Sequence, residues 1–198
     1  MLVIGLTGKT GSGKSTVSLL LEKNGYFIID GDKVAREIVQ KDTPGLKKLC
    51  EVFGEDILNS DKTLNRKLLA KKAFADENST KKLNETTHPF INEKIKEKIE
   101  FADKNGYEVC VIDAAALIES DCRNFCDIVA VVYCDEELRL KRIIERDKIS
   151  VEDAKLRMNA QKDDEYYFKN ADIIIINDEK NNIVEETKKL IDFAEGKK

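Results

Sequence analysis

The sequence lacks several residue types or has little of them, and each shortage excludes a class of protein or site. His88 is the one histidine among 198 residues, so a metal site built from several histidines is excluded. No apolar run approaches the roughly 18 residues that a membrane-spanning helix needs. The net charge is −4, so there is no general basic surface of the kind that binds nucleic acid. The sequence therefore predicts no membrane or nucleic-acid partner, and any anion site should be a local pocket.

Cysteines are present in an odd number, which argues against a full set of disulfides. The five cysteines are Cys50, Cys110, Cys122, Cys126 and Cys134. The chain begins directly with a strand-like segment that leaves no room for a signal peptide, so we expect a cytoplasmic protein with reduced, buried or partly buried thiols. Cys122 and Cys126 can lie one helical turn apart, but no second pair of ligands accompanies them, and we therefore do not expect zinc.

Apolar and charged residues are abundant, at 41% and 36%, which is the composition of a helix-rich globular domain. Five apolar segments are predicted to be strands: residues 2–6, 26–30, 107–113, 128–133 and 173–176. Their nearly continuous apolar character is typical of a parallel sheet that is covered on both faces by helices. The sequence therefore predicts an α/β fold with three layers and five parallel strands.

A long segment, residues 33–106, separates the second predicted strand from the third, and ordinary connections between strands are far shorter. The segment is rich in helix formers with periodic apolar residues, so we interpret it as a helical, substrate-side insert. Thr43-Pro44 and His88-Pro89 are interpreted as helix starts, because proline suits the first helical position. Further helices are predicted at residues 136–146, 151–161 and about 182–193.

Glycines are few, ten in all, and three of them lie between residues 8 and 13. Residues 8–15 read GKTGSGKS and fit the phosphate-binding pattern G-x-x-x-x-G-K-[ST]. An apolar strand precedes the pattern and a helical spacing follows it, which is the context that the pattern requires. The glycines allow main-chain N–H groups to approach phosphate oxygens, and the helix N-terminus adds partial positive charge. Lys14 can reach the β- and γ-phosphates, and the Ser15 hydroxyl can bind Mg²⁺.

Carboxylates follow two of the predicted strands, where a parallel sheet binds its ligands. Asp30 and Asp32 lie on the same side if the strand geometry continues beyond Asp30. A carboxylate at this place can accept a proton from a hydroxyl that attacks the γ-phosphate, although a solvated turn or a helix cap is the alternative. Asp113 ends the third strand in the pattern of an aspartate that supports Mg²⁺, the alternative again being a turn or cap.

The two helices predicted after the fourth strand are locally basic, and Ser150 with Asp153 forms a capping box for the second. Small-molecule kinases carry a lid at this position. Arg142 and Arg146 share one helical face at a spacing of four residues. Arginines there can clamp phosphates and offset the charge of a transition state. The alternative is a solvated helical face paired with acidic neighbours.

Together these segments resemble the dephospho-coenzyme A kinase family over nearly the whole chain, from residue 4 to residue 190. The segments that carry the resemblance are residues 5–8 and 15–16, Ile29-Asp30-Gly31-Asp32 with Ala35-Arg36, Phe53-Gly54, Leu64-Asn65-Arg66, His88-Pro89-Phe90-Ile91, Leu140-Lys141-Arg142, Arg146-Asp147, Gln161, Ala171-Asp172 and Asn177. The chain departs from the family pattern at Lys9, where glycine is usual. It departs again at residues 115–119, where AALIE replaces the usual PLLFE.

The resemblance implies a P-loop kinase that uses ATP and Mg²⁺ to phosphorylate the ribose 3′-hydroxyl of dephospho-coenzyme A. It implies a single domain, residues 1–198, with a core of residues 1–32, 107–134 and 171–198, a helical substrate insert of residues 33–106 and a lid of residues 135–165. The implied nucleotide-binding residues are Gly11, Ser12, Gly13, Lys14, Ser15, Thr16 and Arg146. The implied catalytic residues are Asp32, Lys14 and Arg142. The implied metal ligands are Ser15 and Asp113.

The substrate-binding residues that the resemblance implies are Asp32, Arg36 and His88. Asp32 matches the family's proposed base, and the sequence leaves open whether Asp30 or Asp32 takes this role. A structural hydrogen bond at a helix start is an equally good interpretation of His88. Two other functions compete: a kinase for a nucleoside, nucleotide or shikimate-like acceptor, and a nucleotide-dependent switch. The Asn/Thr-Lys-x-Asp element of guanine-specific switches is absent from the sequence. We expect a monomer or a small homo-oligomer.

Overall fold

The computed structural model describes residues 1–197 and divides the chain into two compact units. The core unit contains Met1–Asp30 and the chain from Phe101 onward. The helical unit is Gly31–Glu100. The sequence predicts a helical insert of residues 33–106, whereas the helical unit begins at Gly31 and ends at Glu100.

The core unit contains a sheet of five parallel strands in the order β2-β3-β1-β4-β5. The strands are β1 (Leu2–Thr7), β2 (Phe27–Asp30), β3 (Val109–Asp113), β4 (Ile128–Tyr133) and β5 (Ile173–Ile176).

The helices of the two units, in chain order, are α1 (Lys14–Lys23), α2 (Gly31–Glu37), α3 (Pro44–Phe53), α4 (Arg66–Ala73), α5 (Glu77–Lys104), α6 (Glu136–Asp147), α7 (Val151–Asn159), α8 (Asp164–Lys169) and α9 (Ile183–Glu195). The predicted α/β fold with five parallel strands is confirmed.

The third strand is shorter than the sequence predicts, because Tyr107 belongs to the end of the preceding helix. The Tyr107 main-chain N–H donates to the Ala102 carbonyl, and Gly106 between them has a φ of 78°. A left-handed residue followed by such a hydrogen bond is a common way to satisfy the last carbonyls of a helix. Tyr107 is therefore used to terminate α5, and β3 begins two residues later.

The central strands are buried because helices cover them. Helices α1 and α9 pack against the sheet through Val17, Leu21, Leu190 and Ala194, which are fully buried beside Ile4. Each large apolar side chain removed from water contributes about 1.5–3 kcal/mol, so this layer supplies much of the stability of the core unit. The sheet thereby holds its carboxyl edge, where β1 and β3 end, in a fixed position.

Two of the capping predictions are confirmed. The Thr43 hydroxyl accepts a hydrogen bond from the Leu46 main-chain N–H at 3.3 Å, with Pro44 as the first residue of α3. The Ser150 hydroxyl accepts from the Asp153 main-chain N–H at 3.0 Å at the start of α7. Each cap satisfies one of the N–H groups that a helix start leaves without a partner in the helix.

The prediction of a helix start at His88-Pro89 is wrong, since Pro89 lies inside the 28-residue helix α5. The helix begins instead after Asp76, whose carboxylate accepts from the Ser79 main-chain N–H at 2.8 Å. Pro89 removes one main-chain donor, and in the preceding turns the Thr87 hydroxyl donates to a main-chain carbonyl of the same helix. Local sequence favours a break here, but packing of buried residues such as Ile95 outweighs it.

All five cysteines are free thiols, four of them buried and Cys50 half-buried, which confirms the predicted state of these side chains. Within residues 1–197, no helix is both long and apolar enough to cross a membrane.

Candidate active site

The phosphate-binding loop, residues 8–13, connects β1 to α1 and is packed too tightly for side chains at two of its glycines. Gly11 and Gly13 have φ values of 79° and 91°. A Cβ atom on Gly13 would lie 1.9 Å from the Asn177 side-chain nitrogen, and one on Gly11 would lie 2.8 Å from the Arg139 carbonyl oxygen. Only glycine fits such positions, because it tolerates positive φ and has no side chain.

The N-terminus of α1 is open to an anion. Gly13 is the capping residue of this helix, and no side chain caps it. The first N–H groups of a helix have no partner within the helix, and together with the helix dipole they favour negative charge. Ser15 and Thr16, in the first turn, are exposed. The local structure therefore suits an anion, and phosphate is the anion that the sequence predicts here.

Lys14, the first residue of α1, is held by the aspartate at the end of β3. The Lys14 ammonium group contacts the Asp113 carboxylate, and the two side chains are only 19% and 13% exposed. Asp113 is paired in register with Leu6 on one side and with Asp30 on the other. The carboxyl ends of β1, β2 and β3 thus bring Asp30, Asp113 and the start of the loop to one edge of the sheet.

Asp32 is not part of that strand end. Strand β2 stops at Asp30 and helix α2 begins at Gly31, so the alternation that would place Asp30 and Asp32 on the same side does not continue. Asp32 is exposed in the first turn of α2, and its carbonyl oxygen accepts a hydrogen bond from the Arg36 Nε at 3.0 Å. Asp32, Arg36 and the half-buried His88 therefore lie in the helical unit.

Arg142 lies against the phosphate-binding loop. Its Nη1 atom is 3.4 Å from the carbonyl oxygens of Gly11 and Ser12, and 3.3 Å from that of Asn177. The same atom is 3.3 Å from the Cys134 Sγ. Burial raises the pKa of the Cys134 thiol, with Arg142 acting in the opposite direction. Helix α6 thereby places a guanidinium group beside the glycine loop.

Arg146, one turn further along α6, has different partners. Its guanidinium group donates to the Asp147 carboxylate at 2.7 and 3.0 Å, and Arg157 contacts the same carboxylate at 2.8 Å. The hydrogen bond from Arg146 lowers the pKa of Asp147. The two arginines that share a face in sequence thus have separate contacts: Arg142 contacts the loop, and Arg146 contacts Asp147 at the end of α6.

Several contacts of the site could not be predicted from the sequence, even where the residues themselves belong to the family resemblance. The Asn177 side-chain amide donates to the Ser12 carbonyl at 2.7 Å and so supports the loop from the end of β5. The Lys9 ammonium group pairs with the Asp164 carboxylate at 2.6 Å, and the Thr10 N–H donates to the Gln161 side-chain oxygen at 2.8 Å. The acidic run around Asp164, before aromatic residues, is the signal that would have revealed the start of α8.

A metal cage made only of protein ligands is absent from residues 1–197, where no group of three or more histidine, cysteine, aspartate or glutamate side chains could hold an ion. The available oxygen donors are the exposed Ser15 hydroxyl and the Asp113 carboxylate. Oxygen donors in this small number suit Mg²⁺, which usually takes one or two protein ligands together with substrate phosphates. The donor set therefore fits Mg²⁺ bound together with a nucleotide.

A five-stranded parallel sheet, a glycine loop that leads into α1, and an arginine on α6 that contacts this loop define the class: the protein is a P-loop kinase. The model of the family described as Dephospho-CoA kinase matches residues 2–183. The chain therefore belongs to the dephospho-CoA kinase family.

Individual relatives agree with this assignment. The dephospho-CoA kinase of Corynebacterium glutamicum is 44% identical over 177 residues, which cover 89% of this chain and 88% of that protein. The solved structure of dephospho-CoA kinase from Campylobacter jejuni has 30% identity and a TM-score of 0.62, covering 97% of this chain and 96% of that one. The crystal structure of TT1252 from Thermus thermophilus has 25% identity and a TM-score of 0.82, covering 99% and 97% of the two chains.

Proposed function

We propose that this chain transfers the γ-phosphate of ATP to the ribose 3′-hydroxyl of dephospho-coenzyme A and so produces coenzyme A in the final step of its biosynthesis. Membership of the family supports the reaction. The structural observation that carries the proposal is the loop between β1 and α1, with Lys14 and Arg142 placed beside it. A phosphoryl-transfer enzyme needs this combination of main-chain donors and fixed positive charges.

The phosphates bind to the loop amides and to Lys14. Phosphate oxygens replace Asp113 as the partner of the Lys14 ammonium group, and Asp113 is then free to act elsewhere in the site. The Arg142 guanidinium group, already held beside Gly11 and Ser12, adds positive charge where negative charge develops during transfer. Arg146 reaches the phosphates only after leaving Asp147, so its contribution depends on movement of the lid.

The Ser15 hydroxyl and the Asp113 carboxylate would hold Mg²⁺, directly or through water. When bound, the ion neutralises charge on the β- and γ-phosphates. The residues of this chain supply the fixed part of that arrangement, since Ser15 opens α1 and Asp113 ends β3.

A carboxylate orients the acceptor hydroxyl and takes its proton as the new bond from oxygen to phosphorus forms. We assign this role to Asp32, with Arg36 and His88 as further substrate-binding residues in the helical unit. Asp30 is the alternative base, and it lies beside Asp113 at the strand ends of the core unit. A cytoplasmic location and a monomeric or small homo-oligomeric state stay predictions from the sequence.

The decisive experiment follows the conversion of dephospho-coenzyme A to coenzyme A by mass spectrometry, with ATP and Mg²⁺ supplied. We expect an increase of one phosphate in mass that requires all three components. The Lys14→Ala variant serves as the matched control for contaminating kinases. Turnover of adenosine or shikimate but not of dephospho-coenzyme A would favour another small-molecule kinase, and absence of any turnover would favour a nucleotide-dependent switch.

A further inference from the structure

Two residues at the start of the phosphate-binding loop are held by the segment that returns from the lid. Lys9 forms an ion pair with Asp164 at 2.6 Å, and the Thr10 main-chain N–H donates to the Gln161 side-chain oxygen at 2.8 Å. Gln161 follows α7 and Asp164 begins α8, so both belong to the return arm, residues 160–164. These partners lie more than a hundred residues apart along the chain, and no local pattern would bring them together.

The outgoing arm of the lid holds the next two residues of the same loop. The Arg142 guanidinium group on α6 donates to the carbonyl oxygens of Gly11 and Ser12, both at 3.4 Å. Gly11 packs closely on the main chain of α6 at Arg139. Both α6 and the return arm therefore contact residues 9–12. Among the residues that the structure describes, Lys9–Asp164 is the only ion pair between the loop and the return arm.

The surroundings of this ion pair make it stronger than an ordinary surface pair. The Lys9 side chain is only 15% exposed, whereas Asp164 is 43% exposed. Asp164 is also the first residue of α8, where the helix dipole favours a carboxylate. Removing Asp164 leaves a largely buried ammonium group without its partner, and this costs more than the loss of an exposed pair. The pair can therefore fix the position of the return arm.

We propose that Lys9 is a positioning residue that, through Asp164, fixes the return arm of the lid to the phosphate-binding loop. With both arms anchored, the lid is held over the γ-phosphate and keeps water from it during transfer. Lys9 itself does not contact the reacting atoms in this role. The inference rests on the ATP-binding role proposed above for the loop.

The proposal predicts a change in how ATP is divided between transfer and hydrolysis. We would measure ATP hydrolysed per coenzyme A formed in the wild type and in Lys9→Ala, Asp164→Ala and the double variant. We expect this ratio to rise about tenfold in each single variant and no further in the double variant, as for two partners of one interaction. Lys9→Arg should restore the wild-type ratio, because it retains the positive charge.

The ratio of ATP hydrolysed to coenzyme A formed distinguishes a positioning role of Lys9 from a purely structural one. Loss of folded enzyme lowers transfer and hydrolysis equally and so leaves this ratio unchanged. Lys189→Ala is the matched control, since it removes an ion pair with Glu186 on α9 in the same unit. An unchanged ratio in Lys9→Ala, even with a lower Tm, would overturn the proposal. Additive effects of the two single variants would overturn it as well.

A second measurement needs no acceptor and so separates this inference from the proposed function. Amide hydrogen exchange of Thr10 and of residues 161–168 should become about tenfold faster in Lys9→Ala and stay unchanged in Lys189→Ala. If the wild type fails to phosphorylate dephospho-coenzyme A but exchange responds in this way, the proposed function fails and the anchoring stands. Unchanged exchange in Lys9→Ala would refute the anchoring whatever the enzyme's substrate.

Discussion

The Lys14 ammonium group contacts the Asp113 carboxylate, so the phosphate-binding loop and the end of β3 are joined by an ion pair. Both side chains are largely buried, and each compensates the charge of the other. In the ATP complex that we propose, phosphate oxygens take the place of this carboxylate beside Lys14, and Asp113 becomes available to Mg²⁺. The proposal therefore couples the binding of the nucleotide to the binding of the metal, and the first two predictions test the two partners of the pair.

Lys14→Ala should lower kcat by ~10²-fold or more, because the transferring phosphate loses its nearest fixed positive charge. Steady-state kinetics with dephospho-coenzyme A would measure the loss, and circular dichroism would show that the variant is folded. Turnover close to that of the wild type in a folded variant would mean that residues 8–15 are not the ATP site.

Asp113→Asn should raise the Mg²⁺ concentration for half-maximal activity by about tenfold, since the amide is a weaker ligand than the carboxylate. Titration of Mg²⁺ at saturating ATP measures this concentration directly. Asp127→Asn is a suitable comparison, because Asp127 accepts from the Val3 main-chain N–H at the opposite end of the sheet. An unchanged Mg²⁺ requirement in Asp113→Asn would remove Asp113 from the metal site.

Asp32→Asn should leave ATP affinity unchanged and lower kcat by ~10²-fold or more, because an amide of nearly the same shape cannot accept the proton. Asp30→Asn should cost less. Steady-state kinetics of both variants, with ATP affinity from calorimetry, decides between the two carboxylates. A larger loss of kcat at Asp30 would reverse the assignment and move the base to the strand end beside Asp113.

Dephospho-coenzyme A should be preferred over adenosine by at least ~10³-fold in kcat/KM, because contacts with remote parts of a long substrate can be used to orient the reacting hydroxyl. The size of the helical unit, Gly31–Glu100, motivates this expectation. Competition kinetics with adenosine, AMP and shikimate would measure the preference. Comparable kcat/KM values for adenosine would indicate a nucleoside kinase.

Cys50 should react first with a thiol reagent, because it is the least buried of the five cysteines. Burial raises the pKa of Cys110 and of Cys126 to about 12. These two thiols are therefore protonated and enclosed at pH 8, whereas only the thiolate reacts. Iodoacetamide labelling followed by mass spectrometry should show modification at Cys50 in the folded protein and at all five sites in denaturant. Early labelling of Cys110 would contradict the burial of its thiol.

Much of the fold could be predicted from the sequence because its signals are local. Continuous apolar runs predicted all five strands, and their positions agree with the structure to within about two residues. The glycine pattern predicted the tight turn between β1 and α1, and Ser150 predicted the start of α7. A local signal failed at Pro89: it favours a helix start, yet it lies inside α5, whose buried residues Ile95 and Ala102 follow it.

The sequence by itself thus determined the class of fold and the family, and it predicts the loop that binds phosphate. Only the tertiary structure decided which side chains meet in the site. Lys14 and Asp113 lie 99 residues apart, Thr10 and Gln161 lie 151 apart, and Ser12 and Asn177 lie 165 apart. Such pairs are set by the order of the strands and by the way the lid helices return to the loop. Neither the type of a residue nor its neighbours in sequence identify such a distant partner. The partner of Lys9 is therefore visible only in the folded chain.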